Sequence, residues 1–137
     1  MIFGQLSYQL HDGHELELML SGKKPLAMFY ENADIPYSDS YIPRDDFKKY
    51  VDQEIFCNGD LITESFIDPR NGRPVRTRYE LYSIKCEEWR IPAITMVLKT
   101  MIRTKNRPDE GLDRMIGSLL GYTDAQNDEY ISRGNYR

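Results

Sequence analysis

Two histidines stand in the run HDGHE, residues 11–15, where His11 and His14 lie among Asp12 and Glu15. Imidazole and carboxylate together are the ligands of a catalytic or structural zinc site, which needs three or four donors converging on one point. Asp12-Gly13 is a turn-forming pair, however, so the two rings need not share a face, and the chain has no further histidine. The expectation is an exposed helix start with Asp12 as its cap, no metal and no cofactor. Nucleophilic catalysis by Cys57 or Cys86 would require a base placed in space, and neither cysteine lies in a local pattern that announces one. Two cysteines without an export signal read as reduced thiols. No GxxxxGK or GxGxxG run occurs, which excludes a P-loop and a dinucleotide fingerprint.

Two other groups of residues could bind. Arg70 and Arg73 lie in the turn-rich stretch DPRNGRP, and Arg76 and Arg78 follow two apart in VRTRYELYSI, so that both point to one strand face with Tyr82. Guanidinium forks grip carboxylate or phosphate in bidentate geometry. These four arginines are the candidate anion site, and Arg76, Arg78 and Tyr82 are candidate partner contacts. The second group is ENADIPYSDSYIPRDD, residues 31–46, which follows Tyr30 and contains Tyr37 and Tyr41 among Glu31, Asp34, Asp39, Asp45 and Asp46. Aromatic side chains on an irregular segment bury area at low entropic cost and are enriched in interfaces. Tyr30, Tyr37 and Tyr41 are therefore candidate partner contacts as well. The loop either folds back on the arginine strand or faces outward as a surface complementary to another protein.

Charge is distributed unevenly. Residues 1–69 hold 5 basic and 13 acidic side chains, residues 70–90 hold 6 and 3, and residues 91–137 hold 7 and 6, for a net charge of −4. An acidic first half repels phosphate and argues against general nucleic-acid binding. No run of apolar residues reaches membrane-spanning length, and MIFGQLSYQL lacks the features of a secretory signal, so a cytoplasmic chain is expected.

The elements that must carry these groups follow from periodicity. Leu16, Met19 and Leu20 have helical spacing and Gly22 can end that helix. PLAMFY reads as a buried strand, and Asp45 can cap a short helix with Phe47, Tyr50 and Val51 on its apolar side. Asn58-Gly59 sits between β-prone runs and predicts a tight hairpin there, with DPRNGRP as a second turn. VRTRYELYSI alternates, which predicts Val75, Thr77, Tyr79 and Leu81 on a core face and Arg76, Arg78, Glu80 and Tyr82 on a solvated one. Ile94, Val97, Leu98, Met101 and Ile102 outline a long helix, Pro108-Asp109-Glu110 starts another, and Thr123 caps a last one to about Ser132, followed by a frayed GNYR.

The stretch GSLLGYTDAQNDEYISR, residues 117–133, resembles the helix-turn-helix of AraC-type regulators, which commonly carry an LGY turn at the same junction. The resemblance implies a second helix entering the major groove. Here that helix would bring Asp124, Asp128 and Glu129 towards phosphates, so DNA binding ranks third among the functions considered. The expected fold is one α+β domain over 1–137, a small antiparallel sheet of three to four strands with the C-terminal helices on one face. The expected function is a small cytoplasmic non-enzymatic binding protein of inhibitor or adaptor type, which engages a protein partner of basic character and could form a homodimer. An enzyme or binder of anionic small molecules is the second reading.

Overall fold

The computed structural model describes residues 6–133. The expected fraying of GNYR lies outside them. The fold is α+β. A three-stranded antiparallel sheet has the order β1-β3-β2, with β1 Leu26–Asn32, β2 Phe56–Ile67 and β3 Pro74–Ile84. Helices α1 Glu15–Leu20 and α2 Arg44–Asp52 precede β2, and α3 Arg90–Arg103, α4 Glu110–Leu119 and α5 Asp124–Arg133 follow β3. Among the described residues, no helix is long and apolar enough to cross a membrane.

β3 is the central strand. It pairs with β1 from Leu26↔Ser83 to Asn32↔Thr77 and with β2 from Phe56↔Ile84 to Glu64↔Arg76, with an irregularity before Ile67↔Pro74. Helices cover both of its faces. On one, Met19 of α1 and Phe47 of α2 join Ala27, Phe29, Ile42, Phe56 and Tyr82 in a buried cluster. On the other, Ile94 and Leu98 of α3 bury Leu26 and Leu81, and Ile116, Leu119 and Leu120 of the α4 end extend the same cluster. The C-terminal helices thus pack on one sheet face, as the apolar periodicity of α3 dictates.

Three expectations are corrected here. The hairpin is not at Asn58-Gly59, which runs inside the 12-residue β2. Gly59 is required there by close packing: a Cβ at this position would lie 2.7 Å from Ile91 Cγ2 at the start of α3. The chain reverses at DPRNGRP instead, where the Asp68 carbonyl accepts from Gly72 N at 2.8 Å and Gly72 takes a φ of 68°. Secondly, the face of β3 that carries Arg78, Glu80 and Tyr82 is covered by α2 and the segment after β1, and of the four residues expected to be solvated only Arg76 is exposed. Thirdly, the helix starts differ from expectation. Pro43, not Asp45, occupies the N-cap of α2, and His14, not Asp12, that of α1, in neither case with a side-chain cap bond.

The later caps follow the sequence. Asp109 Oδ1 accepts from Leu112 N at 3.0 Å at the start of α4. Thr123 and Gln126 form a reciprocal capping box before α5, with bonds of 3.1 and 2.8 Å. Gly121, at φ 99°, turns the chain between α4 and α5. Gly117 lets the two helices meet, since a Cβ there would overlap the buried Asn127 side chain. The residues that resemble a DNA-binding motif make a tightly packed helical corner.

Candidate functional site

The strand pairing brings the acidic loop and the arginine strand together inside the molecule. Glu31↔Arg78 are register partners on β1 and β3, and their side chains meet at 2.5 Å with both almost fully buried. Arg78 also donates to the carbonyls of Ala33 and Ile35, at 3.2 and 3.1 Å, and so fixes the backbone that leaves β1. Arg44, from the first turn of α2, completes the cluster. Its Nε donates to Glu80 Oε1 at 2.8 Å, its Nη2 touches Glu80 Oε2, and Nη1 donates to Ser40 Oγ at 2.9 Å. Ser40 Oγ in turn lies 2.8 Å from Glu31 Oε2. Burial alone would push the Glu31 carboxyl up, but the hydrogen bonds from Arg78, Ser40 and Arg44 outweigh it and hold the group below the usual carboxylate range.

Two guanidiniums and two carboxylates leave this cluster neutral and largely satisfied, which is the condition for keeping charges out of water. Tyr37 caps it. Its ring lies 4.1 Å from the Arg44 guanidinium carbon and 4.8 Å from that of Arg78, although the residue is otherwise 67% exposed. Tyr82 is in the core at 6% exposure, with its ring 4.6 Å from Phe47 and its hydroxyl pushed up to about 12, chiefly by burial. Arg78 and Tyr82 are therefore turned inward and present no surface to a partner.

The remaining arginines gather at the tip of the β2–β3 hairpin. A cleft of about 480 Å³ there is lined by Arg70, Arg73 and Arg76, but also by Asp34, Glu64 and Asp68. Arg70 is held by Asp68 at 2.9 Å and Arg76 lies 3.7 Å from Asp34. As many carboxylates as guanidiniums line it, so an incoming anion would compete with the protein's own. Arg78 lies outside this cleft, and the four expected anion ligands do not converge.

Tyr30 and Tyr41 lie at a different place. The Tyr41 hydroxyl donates to the Tyr30 carbonyl at 2.7 Å, and both rings remain more than half exposed. They border a cleft of about 690 Å³ between α1, the outer edge of β1 and the first turn of α2. Leu16, Met28 and Phe47 give it an apolar floor, while Asp12, Glu15, Glu17 and Asp46 form its rim. His14 is its one basic lining residue and is occupied by Glu17 at 2.8 Å. The cleft thus combines aromatic walls with an excess of negative charge. The α1 carboxylates were legible as an exposed helix start, but their meeting with Tyr30, Tyr41 and Asp46 depends on how α1 lies along β1.

Lys24 carries no local functional signal in the sequence. It is 2% exposed, and its ammonium donates to the Leu120 carbonyl at the end of α4 and approaches His11 Nδ1, both at 2.8 Å. His11 stacks on Tyr122 with centroids 3.9 Å apart, and its backbone N donates to the Tyr122 hydroxyl at 2.9 Å. Burial, then the neighbouring Lys24 charge, lowers His11 to about 4, and burial lowers Lys24 to about 8. The two histidines are thus separated in role: His11 ties the N-terminal segment to the α4–α5 corner, while His14 faces the cleft. Among the described residues, no group of three or more potential ligands is placed to hold a metal ion. Cys57, half-buried, lies 3.4 Å from Glu88 Oε2, and burial, reinforced by that carboxylate, raises its thiol. No family model matches the chain, and neither a curated protein nor a solved structure does.

Proposed function

We propose that the protein is a non-enzymatic binding protein of inhibitor or adaptor type, and that a basic segment of a protein partner enters the cleft between α1 and α2. The observation that carries this reading is the rim of Asp12, Glu15, Glu17 and Asp46 around an apolar floor with Tyr30 and Tyr41 on its walls. Lysine or arginine side chains bury their stems on aromatic and aliphatic surface while the charged head meets carboxylates at the edge. Electrostatic complementarity of this kind steers encounter and selects partners. The arginines of the hairpin tip are already matched by carboxylates, which disfavours an anion site there.

The test is affinity capture with mass spectrometry, comparing the native chain with the double variant Asp46→Lys, Tyr41→Ala. Both side chains are exposed, so the thermal midpoint should move little. The variant should lose the specific partner. Recovery of the same partners by both proteins would place the interaction elsewhere and reject the cleft.

A further inference from the structure

Among the described residues β2 is an outer strand of the sheet, and Phe56–Ile67 contains no lysine, arginine or proline, the residues that commonly protect an edge from pairing. Ile62, Phe66 and Ile67 on this strand are 49%, 60% and 59% exposed. Along the edge runs a groove of about 890 Å³ between β2 and α3, whose walls include Leu61, Thr63, Ile91, Met96, Lys99 and Arg103. The register decides which side chains face it. Gly59 pairs with Leu81 and Leu61 with Tyr79, both of the cluster beneath α3, so Gly59, Leu61 and Thr63 point to α3, while Ile62 and Glu64, on the alternate face, still border the groove at the strand's edge and leave Lys99 and Arg103 in excess over one carboxylate. Among the described residues, Lys99, Asp60 and Glu64 make no ion pair.

The geometry points to strand addition: β2 takes an extended segment of an acidic protein partner, one that alternates apolar and carboxylate side chains on the face turned to α3. Among the described residues no strand pairs with the outer edge of β2, and its backbone groups supply affinity, as they do wherever a peptide extends a sheet. The apolar positions fill the space beside Met96 and Ile91, and the carboxylates meet Lys99 and Arg103. A second copy of this chain fits less well. Its own β2 would offer Gly59, Leu61 and Thr63 to α3, with no carboxylate for the two cations, and would add Asp60 and Glu64 to the same residues already on the opposite face. Like charges across a strand pair are destabilising. The groove lies at the opposite edge of the sheet from the β1-side cleft, and it stands independently of that cleft's function.

The probe is a capped peptide of alternating threonine with, in turn, valine and glutamate, and its control has lysine in place of glutamate. Titrated into the isotopically labelled full chain, the glutamate peptide should shift the amide resonances of residues 58–64 and slow their hydrogen exchange. The double variant Lys99→Glu, Arg103→Glu, altered only at exposed positions, should bind it about tenfold more weakly, the scale of two exposed ion pairs, and should gain affinity for the lysine peptide. Absence of binding, shifts confined to other elements, or affinities unmoved by the charge swap would overturn the proposal. So would a dimer in sedimentation velocity that Ile62→Lys dissociates, which would assign the edge to a second copy.

Discussion

Glu31 and Arg78 illustrate how a residue's role follows from its neighbours more than from its type. Arginine on an alternating strand suggests a surface, yet here the guanidinium is 8% exposed and spends its donors on Glu31 and two loop carbonyls. Removing one member of such a pair leaves the other charge buried without a partner. Arg78→Leu should therefore cost about 3–5 kcal/mol of unfolding free energy. The double replacement Arg78→Leu, Glu31→Leu should recover part of that loss, because no isolated charge remains. Urea denaturation of the three variants measures both. A loss below about 1 kcal/mol in the single variant would match an exposed pair instead. Tyr37 belongs to the same lesson, being exposed on its edge but stacked by its face on Arg44 and Arg78.

At the scale of elements, the position of α3 rests on one missing side chain. Ile91 seats its Cγ2 where a Cβ of residue 59 would stand, so α3 can approach β2 only over glycine. Gly59→Val suits a strand by propensity, yet should destabilise the protein by about 1–3 kcal/mol through overpacking. Ile91→Ala in the same chain should return part of it, and a double-mutant cycle on equilibrium unfolding would show the coupling. Additive effects would mean that α3 does not bear on Gly59. This also explains why Asn58-Gly59, a strong hairpin signal in isolation, is overruled. The local preference for a turn is worth less than a continuous ladder with β3 from Phe56 to Glu64. Where nothing competed, local chemistry prevailed, as in the Thr123–Gln126 box and the turn at Gly72.

At the scale of the whole molecule, Lys24 and His11 link segments about a hundred residues apart, the N-terminal stretch and the α4–α5 corner. Their titration should be visible in stability. His11 has a folded-state value of about 4 against the usual 6.5, so between those values the unfolded chain holds more protons. Stability then falls as pH is lowered from 6.5 to 4. Lys24, at about 8 against 10.5, has the same sign, and stability should rise from pH 8 until tyrosines of the unfolded chain begin to ionise near 10. Lys24→Met should flatten the alkaline limb and His11→Phe should shallow the acid one, both measured by denaturant unfolding against pH. Unaltered profiles in both variants would show that this junction does not govern pH dependence.

Sequence alone determined the class of each long element, the α+β order, the C-terminal caps and the uneven charge, because periodicity and capping are properties of neighbouring residues. It also brought forward the acidic loop and the arginine strand as one question. Only the tertiary structure decided the answer, since burial is set by what packs against a face. α2 and the loop cover β3, which turns Arg78 and Tyr82 inward, while Tyr30 and Tyr41 stay at a rim built from α1 and α2. The acidic cleft and the β2 groove belong to opposite edges of one sheet, and strand order is a long-range fact that no local pattern states.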